Sequence, residues 1–170
     1  AKRYVREVFP TKSVQTRRDN DKELANLLRV FGHMPIEAIA PMHIRQYMDL
    51  RGQVAKVRAN REKALFSHIF NKAREWGFTT AQNPCQGVKG FKETGRSRYV
   101  TDEEFDRVRA NAHCTVVDAM DIALLTGQRP ADVLKIKRTD IRDGALWIVQ
   151  NKTGARLGIE ITGELADVID

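Results

Sequence analysis

The chain has 170 residues, of which 42% are hydrophobic and 30% charged, so it can build the core of one large domain or of two small ones. This composition excludes a wholly disordered chain, and no apolar run is long enough to cross a membrane. The net charge is +7. The two cysteines, Cys85 and Cys114, lack metal-ligand spacing. They indicate reduced thiols in a cytoplasmic protein without a metal site.

The first part of the chain, residues 1–88, is predicted to be a helical domain. A basic lead-in that contains a proline is expected to be extended. Three segments follow in which apolar residues recur at helical spacing, bounded by Gly and Pro. These elements are the lead-in at 1–12 and helices at about 13–31, 41–52 and 55–76.

Residues 89–99 are predicted to be an interdomain linker, because they are basic, contain glycine and have few apolar side chains. The second domain, residues 100–170, opens with a capping box in which the Thr101 hydroxyl and the Glu104 carboxylate satisfy opposite backbone N–H groups. The second helix of this domain is expected to be buried, with Val116 and Leu124 facing inward. Helices are predicted at about 102–110, 115–125, 131–136 and 162–169, and strands at 146–149 and 157–161. The predicted fold class is mainly α with a small antiparallel β-hairpin.

Two candidate catalytic cations stand in turns of the second domain. Arg129 precedes Pro130, which suits a first helical position, so Arg129 is expected at an N-cap beside free N–H groups that attract phosphate. A guanidinium is always charged and offers two parallel donors to the non-bridging oxygens of a phosphodiester. Lys152 lies in the hairpin turn, where an ammonium can protonate a leaving alkoxide. Asp132 is expected to cap N–H groups or to orient the guanidinium.

Either cation alone is typical of an ordinary solvated turn, whereas their order and spacing together indicate a site. A capped helix, a second helix, the Thr-Gly-Gln-Arg turn at 126–129, a short helix and a hairpin with the Asn-Lys-Thr-Gly tip at 151–154 follow one another. This arrangement resembles the first half of the catalytic domain of tyrosine recombinases, the phage integrase family. In the resemblance, Arg129 matches the first catalytic arginine, Lys152 the catalytic lysine and Asp132 the supporting acidic residue.

The resemblance also implies what this chain does not contain. The second arginine, the histidines and the tyrosine nucleophile of the family lie further downstream, and no His-x-x-Arg motif follows Lys152. In the intact protein, a tyrosine is expected to form a 3'-phosphotyrosyl intermediate during site-specific DNA recombination, without a metal or nucleotide cofactor. The chain is then expected to comprise the core-binding domain and a truncated catalytic domain, and to bind DNA as a monomer without cleaving it. The intact recombinase is expected to work as a tetramer on DNA.

The predicted DNA-binding face carries an excess of positive charge. Residues 1–98 contain 20 Lys and Arg against 9 Asp and Glu, whereas residues 99–170 contain 9 against 13. An excess confined to one part indicates a polyanion-binding module. Helices fit the major groove of double-stranded DNA, and their Arg, Lys and Asn side chains reach phosphates and base edges. The candidate DNA contacts are Arg45, Arg51, Arg58, Asn60, Arg61, Lys63, His68, Lys72, Lys89, Lys92, Arg96 and Arg98.

Several alternatives stay open at the level of sequence. Charged residues opposite an apolar stripe are also typical of a solvated helix face, and a basic domain can bind heparin-like polyanions or a membrane surface. A non-enzymatic DNA-binding regulator with the recombinase architecture, or a helical protein-interaction module, would show the same patterns. Steep salt dependence distinguishes DNA binding from protein interaction, because neutralised phosphates release counterions.

Overall fold

The computed structural model describes residues 1–95 and 97–169, and the chain divides into two units, Ala1–Arg96 and Ser97–Asp170. The elements in chain order are α1 (Lys2–Glu7), α2 (Val14–Phe31), α3 (Pro41–Glu75), α4 (Asp102–Ala110), α5 (Cys114–Thr126), α6 (Pro130–Val133), β1 (Ile141–Arg142), β2 (Ala145–Val149), β3 (Arg156–Glu160) and α7 (Glu164–Ile169). This mainly helical architecture with one small antiparallel sheet confirms the predicted fold class. Within the described ranges, no helix is both long and apolar enough to span a membrane.

The core of the first unit forms where α2 packs against α3. Leu24, Leu27 and Phe31 recur every three or four residues, so they lie on one face of α2, and all three are buried. The Phe31 ring packs 5.4 Å from the ring of Tyr47 and 5.0 Å from that of Phe66, measured between centroids. The two partners come from opposite halves of α3, so this aromatic cluster joins three helical segments.

The N-terminal residues are folded, which corrects the prediction of an extended lead-in. A turn of 3-10 helix, Phe9–Thr11, follows α1. The Tyr4 side chain has no exposed surface, and its ring meets that of Phe9 edge to face at 5.7 Å. Pro10 is tolerated because it stands in the first turn of the 3-10 helix, where its missing N–H is not needed. Burial of two aromatic rings therefore outweighs the extended tendency of a basic, Pro-containing segment.

The helix α3 includes both helices predicted between residues 41 and 76. Its backbone is non-helical at Ala55, with φ −153° and ψ 76°, so the predicted break after Gly52 is a kink inside one element. Gly52 is buried in the first half of α3, and the ring of Phe91 lies directly over it. A Cβ at Gly52 would come within 2.2 Å of this ring, so only glycine allows the close approach.

The second unit combines short helices with a three-stranded antiparallel sheet in the order β1-β2-β3. The predicted capping box begins α4. The Glu104 N–H donates to Thr101 Oγ1, and the Thr101 N–H donates to the Glu104 carboxylate, each at 3.3 Å. In β2, Leu146 and Ile148 are buried and alternate with more exposed neighbours, as expected for a sheet with one covered face.

The structure corrects the prediction that the second helix of this unit is buried. None of the residues of α5 is buried, and Val116 and Leu124, which were expected to face inward, are 49% and 65% exposed. The helix packs mainly against α6 and α7. Apolar periodicity shows which side chains share a helix face, but it does not show whether another element covers that face.

Candidate functional site

The turn between α5 and α6 places Arg129 at the surface of the second unit. Gly127, with φ +65°, ends α5 in the left-handed conformation that glycine adopts without strain. Arg129 is the N-cap of α6, and its side chain is 47% exposed. Its carbonyl oxygen accepts the N–H groups of Asp132 at 2.8 Å and Val133 at 3.0 Å.

The short helix that follows is only four residues long, which corrects the predicted span of 131–136. A single turn has a small dipole, and the two N–H groups that bond to the Arg129 carbonyl are not available to an anion. The positive charge of this corner therefore comes from the guanidinium itself and not from the end of a helix.

Asp132 is buried beside Arg129. One carboxylate oxygen, Oδ1, accepts the N–H of Asn151 at 2.8 Å. The other, Oδ2, lies 3.8 Å from a guanidinium nitrogen of Arg129 and has no hydrogen-bond partner within the described part of the chain. Asp132 thus joins the Arg129 turn to the hairpin. Its carboxylate lies near the Arg129 guanidinium but accepts no hydrogen bond from it.

Further polar contacts fasten the β2–β3 turn to the same corner. Gln150 Nε2 donates to Gln128 Oε1 at 2.9 Å, and Asn151 Nδ2 donates to the Ala131 carbonyl at 3.1 Å. Lys135 Nζ donates to Asn151 Oδ1. Sequence reasoning did not select Gln128, Gln150 or Asn151. The available signal was an amide side chain directly before each candidate cation, Gln128 before Arg129 and Asn151 before Lys152.

Lys152 is exposed in the hairpin turn, next to Asn151. The turn is closed by a hydrogen bond of 2.8 Å from the Gly154 N–H to the Gln150 carbonyl. Because Asn151 is bonded to Asp132, the structure brings the backbone of Lys152 to the corner that holds Arg129. The arrangement combines two cations with one buried carboxylate that positions their turns.

In the first unit, Arg51 forms an ion pair with a buried carboxylate. Its Nε donates to Glu62 at 2.9 Å, and the Glu62 side chain is 1% exposed. Tyr47 Oη and Asn26 Nδ2 each donate to the same carboxylate at 2.8 Å. Burial favours the neutral form of Glu62, but the hydrogen bonds from Arg51, Tyr47 and Asn26 outweigh it and lower the pKa. The guanidinium donors of Arg51 are therefore bonded to Glu62, although the side chain is 29% exposed.

Three other predicted DNA contacts bind the backbone of residues 88–91. Asn60 Nδ2 donates to the Phe91 carbonyl and its Oδ1 accepts the Phe91 N–H, each at 2.8 Å. Lys63 Nζ donates to the Val88 carbonyl, and Arg45 donates to the Lys89 carbonyl at 3.1 Å. These side chains are engaged by the start of the predicted linker.

His68 and Lys72 also have partners within the first unit. The His68 imidazole and the Tyr4 hydroxyl share a hydrogen bond of 2.5 Å, and Lys72 pairs with Glu75 at 2.6 Å. Burial, together with the nearby charges of Lys12 and Lys72, lowers the pKa of His68. His68 is therefore less charged at neutral pH than a free histidine, which weakens it as a phosphate ligand.

The remaining candidates are exposed cations. Arg58 lies 3.8 Å from Glu23 and Arg61 lies 3.9 Å from Glu93, so both form only long ion pairs. Lys89, Lys92 and Arg98 are also exposed, and Arg98 pairs with Glu104. Arg96 lies outside the described residues.

Comparison with known proteins identifies the relatives of this chain. No protein-family model matches it. It is 33% identical over 135 residues to the integrase of Enterobacteria phage 434, which covers 75% of this chain and 37% of that integrase. The chain belongs to the phage integrase family of tyrosine recombinases. The family inferred from the sequence is thereby confirmed.

This integrase-family chain has other relatives. The integrase of Escherichia phage lambda is 31% identical over 130 residues, covering 74% of this chain and 36% of that integrase. The prophage integrase IntE of Escherichia coli K12 is 26% identical over 154 residues, covering 88% of this chain and 41% of the relative. The chain therefore spans well under half the length of these curated relatives.

Solved structures of lambda integrase share the fold. A tetramer bound to a Holliday junction matches with a TM-score of 0.84 and 23% identity, over 99% of this chain and 51% of that one. A dimer bound to a COC' core site matches with a TM-score of 0.82 and 24% identity, over 94% and 60%.

Proposed function

We propose that this chain is the DNA-binding and partial catalytic portion of a site-specific recombinase that integrates phage or prophage DNA. Residues 1–88 are the proposed core-binding domain, 89–99 the connector and 100–170 the first part of the catalytic domain. Relatives named integrases, and lambda integrase structures that contain a core site or a Holliday junction, support this proposal. The observation that carries it is the hydrogen bond from the Asn151 N–H to Asp132, which joins the turns of Arg129 and Lys152.

The proposed chemistry follows from that corner. Arg129 binds the non-bridging oxygens of the scissile phosphate, where its fixed pair of donors opposes the charge of the transition state. Lys152 protonates the leaving oxygen from the exposed tip of the hairpin. Asp132 positions both turns and is a supporting residue. We expect no cofactor, and we expect the tyrosine nucleophile from a part of the recombinase outside this chain, so the chain alone should not cleave DNA.

The proposed partner is double-stranded DNA. Exposed cations supply phosphate contacts, whereas side chains bonded within the first unit are weaker candidates. The preferred contacts are Arg58, Arg61, Lys89, Lys92 and Arg98. By analogy with the lambda integrase tetramer on a Holliday junction, the complete recombinase is proposed to act as a tetramer and this chain to bind as a monomer. Because the substrate is cellular DNA, we expect the protein in the cytoplasm.

The DNA-binding part of the proposal is tested by measuring duplex affinity against salt concentration. Replacement of both Arg58 and Arg61 by Met should reduce the slope of log affinity against log salt by about 1.8, since each neutralised phosphate contributes about 0.9. Arg74→Met, an exposed change on the same helix, serves as the matched control. Affinity that does not depend on salt would favour the protein-interaction module instead.

The catalytic part is tested in the complete recombinase with a substrate that traps the covalent DNA complex. Arg129→Ala should lower cleavage by at least about a hundredfold and leave DNA affinity almost unchanged, because Arg129 acts on the transition state. Arg138→Ala, an exposed change in the same unit, should cleave normally. If the unaltered protein binds DNA but forms no covalent complex, the result would support the alternative of a non-enzymatic DNA-binding regulator.

A further inference from the structure

We infer that Asn60, together with Arg45 and Lys63, is a positioning group that anchors the start of the interdomain connector to the kinked helix α3. The segment 88–93 is therefore part of the first unit and not a free linker. These three side chains and their contacts with residues 88–93 form the connector anchor.

The hydrogen bonds of the anchor join side chains of α3 to backbone groups at positions 88, 89 and 91. Asn60 binds both the N–H and the carbonyl of Phe91, each at 2.8 Å, in the way that a neighbouring strand would. Its amide nitrogen also lies 2.7 Å from a carboxylate oxygen of Glu93. Lys63 and Arg45 bind the carbonyls of the residues at 88 and 89. Four backbone groups between positions 88 and 91 are thus bonded to side chains of α3.

Packing on the other side of the segment reinforces these bonds. The Phe91 ring occupies the space above Gly52, where no side chain intervenes, and the Arg45 guanidinium lies 5.5 Å from the ring centroid. Gly90 lies so close to the Asn60 amide that a Cβ there would approach its oxygen to 2.8 Å. Both glycines are therefore required for close contact between the connector and α3.

Gly52 and Asn60 flank the kink at Ala55. The anchor consequently joins the two halves of α3 through residues 88–93. The anchor holds residues 89–93, which are the first part of the eleven-residue connector 89–99 that composition indicates. The three side chains were predicted to touch DNA, and the anchor gives them a different role.

The first test uses the chain without DNA. Amide hydrogen exchange, measured residue by residue by NMR, should show protection of the Phe91 N–H, and Asn60→Ala should accelerate its exchange roughly tenfold or more without affecting the helices. Gln53→Ala, an exposed change on the same helix, is the control. Exchange of Phe91 in the unaltered chain at the rate of an unfolded peptide would overturn the inference.

A second variant keeps the test decisive if Asn60→Ala fails to fold. Gly52→Ala introduces a residue that favours helix, so it should not unfold α3, but its Cβ must displace the Phe91 ring. Loss of protection at Phe91 with unchanged helices would support the anchor. Unchanged protection at Phe91 in Gly52→Ala would contradict it.

A third test depends on the proposed function. Lys92→Met should lower the salt slope of duplex binding by about 0.9, the value for one phosphate contact, whereas Lys63→Met should leave the slope unchanged. An equal reduction in both variants would assign Lys63 to DNA and overturn its anchoring role. If the unaltered chain binds no DNA, the proposed function fails, and the exchange experiment still decides the anchor.

Discussion

Replacement of Arg51 by Met should destabilise the first unit by about 3–5 kcal/mol at pH 7, because it leaves a buried carboxylate without its charged partner. Glu62 is 1% exposed and receives hydrogen bonds from Arg51 Nε at 2.9 Å and from Tyr47 and Asn26 at 2.8 Å each. The two donors that remain in the variant are neutral, so they compensate the buried charge only in part. Met keeps an unbranched side chain and the helix propensity of Arg.

The loss of stability should depend on pH in a direction set by Glu62. Burial opposes ionisation, but the hydrogen bonds from Arg51, Tyr47 and Asn26 lower the pKa of Glu62 below its ordinary value of 4.5. The unaltered chain therefore gains stability above that pH and loses it as the pH falls through the folded-state pKa. In the Arg51→Met variant, burial dominates and raises the pKa. The difference between the two proteins is then largest at neutral pH and smaller towards pH 4.

Urea denaturation measures this difference. A Trp147→Phe background leaves Trp76 as the only tryptophan, so its fluorescence reports the first unit alone. The double variant Arg51→Met/Glu62→Gln should be more stable than Arg51→Met, because the unpaired charge is removed. Lys72→Met, which breaks a largely exposed ion pair of the same helix, should cost about 1 kcal/mol or less. A cost below about 1 kcal/mol for Arg51→Met, or a cost that grows towards pH 4, would refute the reasoning.

Three further changes test other parts of the structure. Asn83→Ala should cost about 1–3 kcal/mol in urea denaturation, because this buried amide bonds to both a backbone carbonyl and side chains of α3; an unchanged free energy of unfolding would contradict those bonds. Burial raises the pKa of Cys85 to about 11, so a thiol reagent at pH 8 should modify exposed Cys114 quickly and Cys85 only after unfolding; two fast thiols in the native chain would argue against this burial. Asp132→Ala should destabilise the second unit by about 1–3 kcal/mol, since the Asn151 N–H loses its acceptor; in a Trp76→Phe background the fluorescence of Trp147 should then show an earlier urea transition, and an unchanged midpoint would count against the bond.

Local signals in the sequence were sufficient for much of the fold. The capping box at Thr101 and the hairpin with Lys152 in its turn lie where they were predicted, because both depend on residues a few positions apart. The same locality explains the errors. Elements distant in the chain determine whether Leu124 is covered and whether Tyr4 and Phe9 are buried. Hydrophobic spacing carries no information about those elements.

By itself, the sequence determined the fold class, the family, the order of the helices from α2 to α7 and the turns in which Arg129 and Lys152 stand. Only the tertiary structure decided which polar side chains are engaged within the protein: Arg51 with Glu62, and Asn60 with Phe91 thirty-one positions away. A cation on a predicted helix face has the same local pattern whether it points at solvent, at a carboxylate or at a backbone carbonyl. The choice among these partners is made by the packing of the chain.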